Sequence, residues 1–498
     1  MPLGQKPPHM RKRTLACAAI TALLVLSALV VSFFINYVPP NQNQKEQKPF
    51  YVGVTFCGNT TSEAKALVDR VRNCTNLFVL QSGPLQENVD AINEICDYAV
   101  ASGLHVIVYF GSYGSNRIAI SSFLNSSANR WGDYFLGLYY GDEPGGKMLD
   151  ATNVELYDPK TGYTVSKGSG GGATVRNSSL SQIDFAPSGQ ITMFNVDFTT
   201  QAKPKFTTLN YYTNGSVVKQ TNDGTWMYET NGTVTLRQPN GTLTTVTDAG
   251  DISQFEPYEK VWNMRPFQSY DEAANRFVVH YQNALGWLHN QSSVRAFTSD
   301  YGLYWFDYLG GYDVVLAELG RNHTSSQDIA LVRGAANMQN RSWGAMITWK
   351  YTELPYLASG NEIYDQMRAA YENGAEYVVL FNYPMIEGNP YGALREEHFN
   401  ALERFWSEVV QDPRVVNGGV EAEAALILPK NYGGGVRGPN DNIWGIWQPD
   451  GTSQQIWTLL QSKLQQYGSK LDIIYDDPTY HATKEYAQIY YWNQTALP

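Results

Sequence analysis

The chain is predicted to be an α/β protein. It should form a (β/α)8 TIM barrel with an inserted antiparallel β-meander lobe and a small carboxyl-terminal α/β domain, all preceded by one N-terminal transmembrane helix. Three observations predict it. Eight short apolar segments alternate with stretches of helical periodicity, and most run into polar or acidic residues. One long stretch without helical period interrupts them and is dense in turn dipeptides. A charge-free apolar run comes first.

With 498 residues there is ample length for a large core. Charged residues are 17% and aromatics 13%, a balance that suits an extracellular protein with stacking surfaces. The net charge of −11 and the lack of a basic stripe exclude a nucleic-acid partner. Residues 14–35 carry no charge and can span a bilayer. Arg11, Lys12 and Arg13 precede them and should stay cytoplasmic, so 1–13 reads as a basic tail and 14–36 as a signal anchor. A cleaved signal peptide is the competing reading, but no A-x-A site closes the run. Residues 37–49 form a polar linker. Beyond it lie eleven N-x-[ST] sequons: Asn59, Asn73, Asn125, Asn177, Asn214, Asn231, Asn240, Asn290, Asn322, Asn340 and Asn493. All lie on one side of the apolar run, which places the main domain outside the cell membrane. Cys57, Cys74 and Cys96 leave at least one thiol unpaired, with a Cys74–Cys96 bridge as one option.

Residues 50–150 read as the first half of the barrel. Strands are predicted at 50–57, 77–80 and 105–110. Between the first two, Thr60 to Glu63 has the pattern of a capping box, and Ala64, Leu67, Val68 and Val71 follow at helical spacing. A second helix carries Val89, Ile92, Ile95, Cys96 and Ala99 and stops at Gly103. The fourth strand, 135–140, runs into Asp142 and Glu143. Pro144 should forbid helix and hold Glu143 extended, and Gly145 and Gly146 should turn the chain away. That puts a carboxylic acid at the carboxyl end of a buried strand, where barrel enzymes carry their catalytic groups.

Residues 151–255 are rich in Gly, Thr, Asn and Ser. Asn214-Gly215, Asp223-Gly224, Asn231-Gly232 and Asn240-Gly241 punctuate short alternating segments and read as two-residue hairpin turns. The insertion follows the fourth strand, so it should stand over the carboxyl face. Trp226 is its candidate substrate contact; a decorative lobe is the alternative.

Residues 256–419 should complete the barrel. Strands are predicted at 294–298, 312–317, 343–349 and 377–381, and eight strands close a barrel. The fifth is followed by Asp300, the sixth by Glu318, the seventh by Trp349, Lys350, Tyr351 and Glu353, and the eighth by Asn382 and Tyr383. Residues 420–498 alternate strand and helix as a small α/β unit. Gly433, Gly435 and Gly438 spell a G-x-G-x-x-G string, but Pro439 follows and no helix opens, so no nucleotide cofactor is expected.

The chemistry at the predicted rim is acidic and aromatic. Glu143 and Glu318 are the candidate catalytic pair, with Asp142 beside them. Tyr140, Asp300, Trp349, Tyr351, Tyr383 and Trp226 are candidate substrate contacts. Paired carboxyls among aromatic platforms suit glycoside hydrolysis: one acid protonates the leaving oxygen, and the other attacks or activates water. No G-x-S-x-G, H-E-x-x-H or G-x-x-x-x-G-K-[ST] motif competes, and the scattered histidines suggest no metal site.

On Gly141-Asp142-Glu143-Pro144 the sequence resembles the broad superfamily of (β/α)8 glycoside hydrolases and glycosidase-like surface proteins, over about residues 50–498. The resemblance implies Glu143 as acid/base. Many members of the largest clan have Asn-Glu-Pro; here Asp142 replaces that Asn and its contact with a sugar 2-hydroxyl. The clan's nucleophile ends strand seven, whereas here Trp349-Lys350 does, which leaves Glu318 on strand six as the better-placed partner. The carboxyl-terminal unit resembles the amidotransferase-like domain of some β-galactosidase-type barrels. The function expected is that of a membrane-anchored extracellular glycoside hydrolase acting on a poly- or oligosaccharide. The alternative is a catalytically inactive glycan-binding or structural cell-surface protein.

Overall fold

Strand β1 (Tyr51–Phe56) opens a sheet that helix α1 (Thr61–Val71) covers. The capping box expected at the start of α1 forms between Thr60 and Glu63. Strand β2 (Leu77–Leu80), α2 (Val89–Ala101), β3 (His105–Tyr109), α3 (Arg117–Ser127) and β4 (Phe135–Tyr139) continue the alternation. The computed structural model describes residues 49–494, apart from 112–116, 128–129, 169–170, 178–180, 198–204, 321–323, 413–415 and 481–485. The chain divides into two compact units, Met1–Pro49 and Phe50–Pro498, and the elements described belong to the second. The anchor expected over 14–36 lies outside the described residues. Among those described, no helix is long and apolar enough to cross a membrane.

The chain after β4 departs from expectation. Glu143 is left-handed, with φ 50° and ψ 52°, rather than extended. Pro144 starts a short helix, α4 (Pro144–Asp150), instead of preventing one. Proline suits the first helical position because its missing N–H would have no helical partner there.

The lobe is a ten-stranded antiparallel meander, β5 (Val154–Asp158) through β14 (Leu243–Thr245), with every strand beside its sequence neighbours. Its turns differ from those predicted. At Asn214-Gly215, Asn231-Gly232 and Asn240-Gly241 the glycine N–H bonds back to the carbonyl three residues earlier, and the glycine φ is near +87°. These are three-residue loops, each closed by a left-handed glycine. The Asn Oδ1 accepts from the backbone N–H two residues on: Ser216, Thr233 and Thr242 respectively. Turn chemistry thus accounts for these three Asn-Gly-Ser/Thr triplets without any sugar attached. At the fourth site Thr221 pairs with Gly224, so the two-residue turn is Asn222-Asp223, one position earlier than predicted.

The lobe has two cores. Phe185, Ile191, Tyr211, Val217, Tyr228 and Val234 form one of its own, with Val261 of α5 (Tyr258–Trp262). Leu156, Val165 and Ala173, on its inner strands, instead join the barrel's hydrophobic cluster. The Tyr157 N–H donates 2.8 Å to His280 Nδ1 on α6 (Tyr270–Gln291).

The second half supplies β15 (Arg295–Asp300), α7 (Tyr304–Leu309), β16 (Val314–Leu319), α8 (Ser325–Met338), β17 (Ser342–Ile347), α9 (Gly360–Glu372), β18 (Tyr377–Leu380) and α10 (Glu396–Phe405). The eight parallel strands close in the order β1-β18-β17-β16-β15-β4-β3-β2. Leu77, Val79, Ile107, Tyr139, Phe297, Val314, Leu316, Met346, Tyr377 and Val379 fill the interior. Alternate residues such as Phe78, Val315 and Val378 face the helices.

Strands β19 (Ala424–Leu428), β20 (Leu471–Tyr475) and β21 (Gln488–Tyr491), with α11 (Gly451–Tyr467), make the parallel carboxyl-terminal unit. A buried ion pair docks it on the barrel: Arg333 Nε on α8 lies 2.7 Å from Asp472 on β20. In the glycine string Gly433 serves packing, since a side chain there would meet the Trp444 ring at 2.7 Å. The optional disulfide is not made; Cys57, Cys74 and Cys96 are all free thiols.

Candidate active site

The carboxyl ends of β4, β15 and β16 carry a linked group of polar side chains. Two backbone bonds pin the loop after β4 onto β15: Tyr140 N–H to Phe297 O at 3.0 Å and Glu143 N–H to Ser299 O at 3.0 Å. Residue 143 is therefore held by the neighbouring strand, and its left-handed turn points the chain into α4. The Glu143 carboxyl is about one-fifth exposed and lies 3.8 Å from Lys147 Nζ. That ammonium is also 3.1 Å from Asp142 Oδ2 and donates to the Asp142 carbonyl.

Glu318 lies on β16 and is 4% exposed. Ser299 Oγ lies within hydrogen-bond distance of its Oε1, at 2.9 Å. Tyr139 lies 2.7 Å from Ser299 and 2.6 Å from Asp142 Oδ1. Burial first, then the charge on Asp142, pushes the Tyr139 phenol well above its ordinary value, so it stays protonated. At the end of β1, burial pushes the Cys57 thiol up to about 12. It is an inert neighbour at neutral pH rather than a nucleophile.

Aromatic rings occupy the rim beyond β17 and β18. Trp349 and Tyr383 stack with centroids 5.7 Å apart and planes 14° apart, and the indole N–H donates to the Tyr383 carbonyl. Tyr356 packs tilted against Trp349, with the planes 42° apart. Tyr383 and Tyr351 are each nearly half exposed.

The other candidates are placed elsewhere. Tyr140 is fully buried and its carbonyl accepts from Tyr312, so it presents no face to a ligand. Asp300 is also fully buried. It takes the backbone N–H groups of Gly145, Gly146 (2.8 Å), Tyr301 (2.7 Å) and Gly302 (3.0 Å). It therefore caps α4 from the next strand, where Glu143 makes no side-chain cap of its own. The two glycines serve this approach. A Cβ on Gly145 would lie 2.4 Å from the Gly302 carbonyl, and one on Gly146 would lie 2.2 Å from the Tyr301 ring. Trp226 packs against the lobe's own core, far along the chain from the inner strands that meet the barrel.

Sequence reasoning missed Tyr139, Ser299 and Lys147. Two of them are the immediate neighbours of residues it chose. A rule for which residues face the barrel interior would have found them.

Among the described residues no group of three or more His, Cys, Asp or Glu is arranged to hold a metal ion. No family model matches the chain. No curated protein matches it either. Among solved structures it is similar to the crystal structure of GH5_18 from Streptomyces cattleya in complex with GlcNAc, with a TM-score of 0.44 and 10% identity over 90% of this chain and 99% of that chain.

Proposed function

We infer that the chain is a glycoside hydrolase acting on a poly- or oligosaccharide, with Glu143 as general acid and Glu318 as nucleophile or base. One observation supports this most. Acids from β4 and β16 share the carboxyl mouth of a closed barrel with a stacked aromatic pair, the half-exposed Tyr383 and the partly buried Trp349. Stacked indole and phenol rings fit the apolar faces of pyranose rings, and two carboxyls meet the needs of acid-assisted glycosidic cleavage. Glu143, the more exposed acid, is the one a leaving-group oxygen could reach. Asp142 and Lys147 hold a charged pair beside it. Residues 14–36 would anchor the enzyme, with the barrel outside the cell.

The rival reading, a glycan-binding protein without turnover, draws on Lys147, which sits against both Asp142 and Glu143. The test is a glycan-library screen with wild type and Glu143→Gln. The variant should lose about 10²–10⁴-fold in turnover on unactivated glycosides. It should lose less with aryl leaving groups, which need less protonation. Full activity of the variant would overturn the role of Glu143, and binding without cleavage by wild type would establish the rival. For the anchor, protease added to intact cells should digest the main domain; complete protection would refute the topology.

A further inference from the structure

Four oxygen atoms are linked one to the next at the barrel mouth: Asp142 Oδ1, Tyr139 Oη, Ser299 Oγ and Glu318 Oε1. The successive separations are 2.6, 2.7 and 2.9 Å. Tyr139, Ser299 and Glu318 come from three adjacent strands, β4, β15 and β16. At such distances each link needs a proton between its oxygens, because otherwise two lone pairs face each other. Three links need three protons. The Tyr139 and Ser299 hydroxyls supply one each, and an ionised carboxylate supplies none. The third proton therefore belongs to Asp142 or to Glu318.

We propose that Asp142 and Glu318 share one proton through a relay of two hydroxyls, so that Tyr139 and Ser299 are positioning residues that set which acid is charged. This rests on the hydrolytic reading of the same mouth, and adds that its buried acid exchanges its proton inside the protein rather than with water.

The relay has two end states that balance. In one, Glu318 donates to Ser299, Ser299 to Tyr139 and Tyr139 to Asp142. In the other, Asp142 donates to Tyr139, Tyr139 to Ser299 and Ser299 to Glu318. Passing from the first to the second carries each of three protons across its own link, from one oxygen to the other; no net charge appears and nothing leaves. Lys147 favours the first state, because its ammonium is 3.1 Å from Asp142. Glu318 is 4% exposed, and burial disfavours charge there. Moving the proton toward Asp142 ionises Glu318, which is what a nucleophile or base requires.

Other titratable groups face the relay without joining it. Lys147 also meets Glu143 at 3.8 Å. Cys57 and Tyr109 feel the charge of Asp142. Tyr304 feels Glu318 together with Asp300, Asp307 and Asp328. Tyr139 is suited to its place because the buried phenol holds its proton and so both donates and accepts.

The experiment is carboxyl-¹³C NMR of the full chain across pH, with labelled Asp and Glu. The Asp142 and Glu318 signals are assigned from Asp142→Asn and Glu318→Gln. It needs no substrate, so the relay can stand or fall apart from the glycosidase reading. In wild type both signals should move in the same two titration steps, as coupled sites do. In Tyr139→Phe the steps should separate and that of Glu318 should move by about one pH unit or more, although Tyr139 touches Asp142 and not Glu318. Ser299→Ala breaks the chain at the next oxygen and should do the same; it also serves if Tyr139→Phe does not fold. Single independent steps in wild type would overturn the proposal. So would a Glu318 titration left unchanged by either variant.

Discussion

Asp300 and Glu318 lie at the carboxyl ends of adjacent strands, both are acids, and both are buried. Their surroundings differ. Asp300 faces outward from the barrel axis and meets four backbone N–H groups. Its neighbour Asp307 is a second buried carboxyl on α7. Glu318 faces inward and meets a hydroxyl that leads on to another acid. Backbone donors cannot give up their protons, so no proton travels along them, even though burial pushes the Asp300 carboxyl up to about 7. Hydroxyls can pass a proton on, so the charge there can move. An acid's burial alone therefore does not tell a structural carboxylate from a chemical one; the kind of donor does.

The comparison can be broken at several points. The largest effect expected is for Glu318→Gln. Turnover on the glycan found by screening should fall by about 10²–10⁴-fold, while the melting temperature changes little because the amide can hydrogen-bond to Ser299 whichever way that hydroxyl points. A variant that loses its fold rather than its turnover would make Glu318 a structural acid like Asp300.

Asp300→Asn should show the reverse. An amide oxygen cannot hold four N–H groups, so α4 loses its cap and buried donors lose partners. The cost should be roughly 3 kcal/mol or more, read by urea denaturation. Unchanged stability would remove the distinction drawn here.

A smaller effect is expected from Asp307→Asn. Burial, then the charge of Asp300, holds the Asp307 carboxyl well above the usual range. The folded chain therefore keeps a proton there that the unfolded chain releases. That contribution is fully present below about pH 4, the ordinary carboxyl value, and is lost as pH rises toward the elevated folded value. Wild type should lose stability across that window. Asp307→Asn, which has no carboxyl proton to titrate, should flatten the profile, as thermal scans at several pH values will show.

The smallest effect is at Lys147. It is about half exposed, so Lys147→Gln should change stability by less than about 1 kcal/mol. It should nonetheless alter the pH dependence of activity, because it removes the cation that favours charge on Asp142. A pH–rate profile identical to wild type would show that Lys147 does not influence the site.

Local pattern was enough to determine the alternation of strands and helices, the count of eight, the capping box at Thr60 and the meander. Each rests on contacts between residues near in sequence: apolar period, turn glycines, caps. It was also enough to bring Glu143 and Glu318 to one end of the barrel, since strand ends follow from strand limits. It did not determine which neighbour faces inward. Parallel barrel strands are apolar on both faces, so no alternation marks the inner one. Tyr140 and Asp300 were accordingly chosen where the interior holds Tyr139 and Ser299, one residue away in each case. Only strand pairing around the closed barrel fixes that parity, because a shift of one residue exchanges the two faces. The left-handed turn at Glu143 was likewise beyond local pattern. It depends on Asp300, distant in the chain, taking the N–H groups of Gly145 and Gly146 and so letting Pro144 begin a helix.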